Sequence, residues 1–246
     1  MKLEEKLKER YLYSKNLNLF KLIYFFFQYI KSRFTLRKLS SNWGVDLIVK
    51  DILKNKKKGI YIDIGCHHPL INNNTNILYL NGWKGINVDL DFNSIDMFNY
   101  FRPTDYNVMT AVSDKKRISK LYFFHNRAAK NTITKQRGRG AKSIKKIHVN
   151  NLNNIIGNCN FNIKTIDFIS IDVEGNELNV LKGLNFNKYK PKVIVVEYIK
   201  PKIKEFYQHN IKDIVKSDIH KFMIKKKYRL VNWIHDDLVF ICKNYK

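Results

Sequence analysis

Tyr61-Ile62-Asp63-Ile64-Gly65-Cys66-His67-His68-Pro69 decides the fold. A short apolar run ends in an acid, then Ile-Gly, then a polar loop. Gly85-Ile86-Asn87-Val88-Asp89 repeats the design, and Ile166-Asp167-Phe168-Ile169-Ser170-Ile171-Asp172-Val173-Glu174-Gly175 repeats it again. Strand-like runs that end in carboxylates predict an open α/β sheet with a nucleoside site outside the carboxyl ends of its strands.

The loop after the first run narrows the ligand. A dinucleotide site needs Gly-x-Gly-x-x-Gly so that backbone can approach a pyrophosphate. Here Gly65 stands alone, with Cys66, His67 and His68 in the following positions, and no Gly-Lys-Ser/Thr phosphate loop occurs. A nucleoside without phosphates fits better, and S-adenosylmethionine is the commonest such cofactor. Gly65 lets the chain pass the methionine part, and Asp89, about 26 residues beyond Asp63, is placed for the ribose hydroxyls. Ser113-Asp114, after the third strand, would border the adenine. Asp63, Cys66 and Leu90 complete the expected cofactor set; the lesser reading of Asp63 is a cap on its loop or the following helix, and Cys66 reads as a buried residue.

A family resemblance joins these pieces. It rests on Tyr61–Pro69, Asn74-Thr75, Gly82-Trp-Lys-Gly-Ile-Asn-Val-Asp89, Arg102-Pro-Thr-Asp105, Ala111-Val-Ser-Asp114, Ser170-Ile-Asp-Val-Glu-Gly-Asn-Glu177 and Pro191-Lys-Val-Ile-Val-Val-Glu197. Together they resemble the FkbM-type S-adenosylmethionine-dependent methyltransferases over roughly residues 45–242, most specifically in Ile-Asp-Val-Glu-Gly-x-Glu. The resemblance implies a class I methyltransferase (Rossmann-like) fold of seven strands, mostly parallel with the last antiparallel. It also implies O-methylation, often of sugars in polyketides or surface glycans. One departure is visible: the family often has Glu followed by Pro-x-Pro at the second strand, where this chain has Asp89-Leu-Asp-Phe-Asn.

Methyl transfer to a hydroxyl needs orientation and a proton acceptor. Asp172, Glu174, His68 and Glu197 are the candidates, Asp172 first, directly or through a divalent cation such as Mg²⁺. Structural readings stand beside these. Asp89 could be a turn residue, Glu174-Gly175 could open a helix, and Glu177 suits that helix's first turn. His67 and His68 could bond backbone only, Trp83 suits the core, and Thr75 suits an N-cap.

The net charge is +25, from 46 Lys and Arg against 21 Asp and Glu. Such a surplus attracts phosphates, acidic glycans and anionic lipid, though scattered Lys and Asn also fit compositional drift. Lys135–Lys142 reads as a loop able to hold an anionic substrate, and the Asn-rich stretch 150–162 as loop. A nucleic-acid methyltransferase is the second reading, weakened because neither a Lys-Asp-Lys-Glu set nor Asn-Pro-Pro-Tyr is present. Cys66, Cys159 and Cys242 include no Cys-x-x-Cys, so a reducing, cytoplasmic compartment is expected.

The chain starts without signal-peptide character. Leu19–Ile30 is apolar but only twelve residues long, interrupted by Lys21 and Gln28, whereas a span needs about 20. It is read as a helix packed on the domain or on a second copy, or as an interfacial helix with Lys31, Arg33, Arg37 and Lys38 behind it. Residues 19–38 are thus a candidate contact with the inner membrane face. A non-catalytic membrane-surface protein is the third reading.

Residues 1–45 are expected as a helical extension and 46–246 as the methyltransferase domain, with an insertion at about 117–150. Strands are predicted at 60–64, 86–90, 106–112, 120–125, 146–149, 166–172 and 193–198, followed by a hairpin of 228–233 and 238–241. Helices are predicted after Asn74-Thr75, at 93–101, 152–156, 177–184 and 211–222.

Overall fold

A computed structural model describes residues 3–14, 17–35, 40–41, 43–124, 131–135, 137–198 and 210–245. His125, Arg37, Lys38 and Gln136, which figure in the expectations above, lie outside the described residues.

The main sheet has seven strands: β1 (Ile60–Ile64), β2 (Lys84–Asp89), β3 (Tyr106–Met109), β7 (Phe168–Ile171), β8 (Val193–Glu197), β9 (Tyr228–Ile234) and β10 (Asp237–Cys242). Their order is β3-β2-β1-β7-β8-β10-β9. All neighbours pair parallel except β10, which runs antiparallel to both β8 and β9. This is the α/β, Rossmann-like sheet of seven strands, mostly parallel with the last antiparallel, that the resemblance implies. The chain moves outward from β1 to β3, then returns to lay β7 against the other side of β1. The crevice outside the carboxyl ends of β1 and β7 is therefore the topological switch point.

Sequence explains the sheet. Phe168, Ile169, Ser170 and Ile171 of β7, and Val193 to Val196 of β8, are buried on both faces, as parallel central strands require. Helices α7 (Glu177–Lys182), α8 (Phe186–Tyr189) and α10 (Asp218–Lys225) cover one face, and α3 (Val45–Ile52) helps cover the other. Between α9 (Ile211–Lys216) and α10 the helix predicted at 211–222 is broken. Ser217 is extended (φ −64°, ψ 150°), and its hydroxyl accepts from the His220 N–H as a new N-cap.

Two other expectations change. Strand β3 stops at Met109, and the Thr110 N–H turns back to the Asp89 carbonyl at 3.0 Å. The following β4 (Ala111–Ser113) leaves for a second sheet, ordered β4-β6-β5, with β5 (Arg117–Phe123) and β6 (Ser143–Asn151). The basic insertion is thus a β-structured layer beside the main sheet. The predicted fourth main strand is also shorter, since Ile166 and Asp167 precede β7 and Asp172 follows it.

Helices α1 (Leu3–Tyr13) and α2 (Leu17–Thr35) pack on each other and on α5 (Phe92–Phe101). Tyr11 stacks on Tyr24 at 5.6 Å, and Phe25, 1% exposed, meets Tyr100 and Phe101. Burying one such ring contributes about 1.5–3 kcal/mol. Lys21 pairs with Asp96 of α5 at 2.7 Å. No helix among the described residues is long and apolar enough to cross a membrane.

Candidate active site

Gly65 follows β1 with φ +78°, a conformation that disfavours any side chain. A Cβ there would lie 1.6 Å from the Asp172 carbonyl oxygen. The ends of β1 and β7 therefore pinch together, held by the Asp172 N–H to the Ile64 carbonyl at 2.9 Å, while the Gly65 N–H to the Val88 carbonyl at 2.8 Å ties the same turn to β2. A cavity of about 330 Å³ opens above this pinch, lined by Gly65, His67, Asp89, Leu90, Thr110–Val112, Asp172–Glu174 and Asn176, among others.

The loop after Gly65 is held from below. Asp63 is buried and does not line the cavity. Its carboxylate accepts from Asn73 Nδ2 at 2.9 Å and from the Thr75 hydroxyl at 2.8 Å. Thr75 occupies the N-cap position of α4 (Asn76–Leu80) without a side-chain capping bond, because its hydroxyl is used here. Arg102 is fully buried beneath the same loop. It donates to Thr75 Oγ1 at 2.8 Å, to Asn73 Oδ1 at 2.9 Å and to the Pro69 carbonyl. Its guanidinium also lies over Phe98 and Tyr79. Asp63 thus shapes the loop rather than the cavity surface, which corrects its expected place in the cofactor set.

His68 is corrected as well. Its Nδ1 accepts from the Leu70 and Ile71 N–H groups at 3.0 and 3.2 Å. That leaves Nε2 to carry the proton and donate to Gln28 Oε1 of α2 at 3.2 Å. Burial first, and His67 next, pull its pKa down to about 3. A neutral imidazole with both nitrogens engaged, outside the cavity lining, is a clasp between loop and α2 and not a proton acceptor for substrate. The neighbour His67, with φ +52°, is the imidazole that lines the cavity.

Asp89 ends β2 with its carboxylate open to the cavity. One oxygen accepts from the His67 N–H at 2.8 Å and the other from the Asp91 N–H at 2.9 Å. Burial raises its pKa while these two N–H groups oppose the rise. Each oxygen keeps a free lone pair toward the cavity. Leu90 joins the lining as expected. Ser113 and Asp114 do not: Arg117 binds both side chains and draws them off, and Thr110–Val112 line that wall in their place. Cys66 is buried beside Ile95 and Phe98, outside the lining, with its thiol pushed up by burial.

The opposite wall is acidic. Asp172 and Glu174 line the cavity. Glu197 stands behind, and its side chain hydrogen-bonds Asp172. Arg137, from the insertion, binds Glu174 and lies 3.7 Å from Glu197. Burial works against the Arg137 charge, but Glu197, Glu174 and Glu177 outweigh it and raise its pKa. Thr132 Oγ1 donates to the Glu174 carbonyl at 2.8 Å. Glu177 faces inward and accepts from the Val173 and Gly175 N–H groups, so it braces the turn. Desolvation, then Glu174, Glu177 and Asp237, push the Asp172 pKa up to about 8. Solvent reaches Asp172 through the cavity and tempers the desolvation, while the neighbouring carboxylates keep the direction upward. Glu197 is raised too, by burial and then by Asp172. The two carboxyls therefore titrate as a pair, at higher pH than free carboxylates.

A family model described as "Methyltransferase FkbM domain" matches residues 63–230, more than half of the chain. The chain belongs to the FkbM methyltransferase family. A comparison with curated proteins returned no match. Among solved structures, the methyltransferase domain of METTL16 is 11% identical with a TM-score of 0.45, over 82% of this chain and 67% of that one. A putative RNA methyltransferase, PH1948 from Pyrococcus horikoshii, is also 11% identical, with a TM-score of 0.36 over 80% and 84%. Likeness at that level carries no argument about substrate.

The FkbM family implies S-adenosylmethionine, and the cavity fits it. Its volume suits a ligand of that size. Gly65 leaves backbone bare where a Cβ would collide, and Asp89 offers paired acceptors for a ribose diol. Leu90, Ala111 and Val112 give the FkbM cavity an apolar edge for a flat base. A metal fits less well: among the described residues no three His, Cys, Asp or Glu are grouped to hold one.

Besides His67 and Thr110–Val112, sequence reasoning missed several contributors to this FkbM site. Arg102 carried a signal, since it sits in the quoted Arg102-Pro-Thr-Asp105 motif; a buried Arg is rare and needs acceptors. Asn176, whose Nδ2 donates to the Val112 carbonyl at 2.8 Å, sits in the Glu-Gly-Asn-Glu block. Asn131 comes from the insertion, where nothing local marks it; Arg137 lies in the basic stretch Lys135–Lys142, whose charge signalled an anionic substrate, yet it pairs with the chain's own Glu174.

Proposed function

We propose that this FkbM methyltransferase is an O-methyltransferase whose acceptor is a hydroxyl of a sugar, a glycan or a related small molecule. The observation that carries the reading is the Asp172 carboxyl at the cavity surface, backed by Glu197. Bound S-adenosylmethionine supplies an electrophilic methyl group. Asp89, Gly65 and the Thr110–Val112 wall orient the ligand, which lowers the entropic part of the barrier. Asp172 in its ionised form takes the hydroxyl proton at a carboxylate oxygen. Glu197 donates to that carboxylate and keeps it aimed. Asp172 is assigned the proton directly.

The make-up of the wall supports the acceptor class. Asp172 and Glu174 stand at the cavity surface, with Glu197 and Arg137 behind. A hydroxyl finds hydrogen-bonding carboxyl groups there. The free thiols of Cys66, Cys159 and Cys242 support a reducing, cytoplasmic setting.

The test is methyl transfer from labelled S-adenosylmethionine to a panel of monosaccharides, oligosaccharides and RNA, with Asp172→Asn beside the wild type. Label in a sugar product, lost in Asp172→Asn, supports the reading. Label in RNA alone sinks it.

A further inference from the structure

Helix α2 is apolar on both faces. Tyr24 and Phe25 point inward, against α1 and α5. Leu19, Leu22, Ile23, Phe26, Ile30 and Phe34 recur at intervals of three and four on the outward face. Leu22 is 52% exposed, Phe26 66% and Phe34 86%. From Leu19 to Phe34 the stripe runs about 22 Å. A continuous apolar surface of this kind marks a contact with another phase or partner.

We propose that the stripe seats the protein on an anionic membrane surface, lying in the interface rather than crossing it. Charge selects the occupant. Arg33 is exposed and stands seven residues from Phe26, on the same face, so its cation lies in line with the stripe. In sequence, Arg33, Arg37 and Lys38 follow the apolar run with no acid between Ile30 and Asp46, while Lys31 is paired with Glu4 at 2.8 Å. Apolar side chains entering the headgroup region beside a run of cations match the chemistry of anionic lipid. A long basic side chain there keeps its charge among the headgroups while its stem lies on apolar surface. A second copy fits less well, because association would bring together two chains of net charge +25. The inward face of α2 reaches the site through Gln28 and His68, 3.2 Å apart, so a seat on α2 fixes how the active site stands relative to the surface.

The test uses the full chain and co-sedimentation with vesicles of phosphatidylcholine, alone or mixed with phosphatidylglycerol. The wild type is compared with the triple variant Leu22→Ser, Phe26→Ser, Phe34→Ser, whose changed side chains are all exposed. Expected is binding to the mixed vesicles that falls at least about tenfold in the triple variant, with S-adenosylmethionine binding unchanged as the control for folding. Three results overturn the proposal: no binding by the wild type, equal binding by the triple variant, or equal binding to neutral and anionic vesicles. A dimer in sedimentation velocity that the triple variant dissolves, without vesicle binding, assigns the stripe to a second copy instead.

Discussion

The side chains of Asp172, one residue past β7, and Glu197, at the end of β8, are joined by a hydrogen bond. Only Asp172 lines the cavity. On the proposed function the two acids divide the work: one meets the acceptor, the other sets its basicity.

Asp172→Asn separates chemistry from binding. The turnover number is expected to fall about 10²–10⁴-fold, while calorimetric affinity for S-adenosylmethionine stays near that of the wild type. Stability moves the other way. The folded-state pKa of Asp172 is raised from 3.8 to about 8, so its contribution is most favourable below 3.8 and declines as pH rises through about 8. Thermal melting of Asp172→Asn should accordingly gain on the wild type across that window. A constant difference in Tm with pH contradicts the raised pKa.

Glu197 is a positioning residue. Its protonated carboxyl donates to ionised Asp172, which holds the Asp172 pKa lower than it would otherwise stand. Glu197→Ala should move the ascending limb of the pH profile of kcat/KM upward by about one unit. Glu197→Gln, which still donates, should restore it. An unshifted limb in the alanine variant rules the assignment out.

Asp89→Ala should weaken S-adenosylmethionine binding by about 2–4 kcal/mol, the loss of two hydrogen bonds to a charged acceptor. Calorimetry measures it. Affinity within about threefold of the wild type would mean that the ribose lies elsewhere.

His68→Asn tests the clasp. The Asn oxygen can still accept from the Leu70 and Ile71 N–H groups, so activity should persist, with stability reduced by about 1–2 kcal/mol in urea titration. Loss of turnover without loss of stability would return His68 to the chemistry.

Much of this was readable from residues. Strands that end in acids, with Gly65 after the first, located the switch point, because buried parallel strands have continuous apolar runs and a sharp turn needs glycine. Asp89, Leu90, Asp172 and Glu174 line the cavity as expected. The errors share a cause. Asp63, His68, Ser113 and Asp114 lie one or two positions from lining residues, and the turns at Gly65 and Thr110 decide which neighbour faces in. Left-handed His67 and the departure of β4 from the main sheet are tertiary facts that no local pattern announces. Arg137 is more distant still, since its partners Glu174 and Glu197 lie 37 and 60 residues away in the chain.

The acidic wall at Asp172 and Glu174 lies within a chain of net charge +25. S-adenosylmethionine, with a sulfonium, an ammonium and a carboxylate, approaches as a cation. At a distance it meets a repulsive shell, and only at the cavity does it meet carboxyl groups such as Asp89. Its capture is thus hindered at long range. The demethylated product has lost the sulfonium charge, so it feels the shell less and the acidic wall less. Added salt shrinks the outer field over a Debye length of about 8–10 Å while leaving the partly enclosed wall nearly intact. The association rate of the cofactor should therefore rise with ionic strength, opposite to an enzyme that steers its ligand in by net charge.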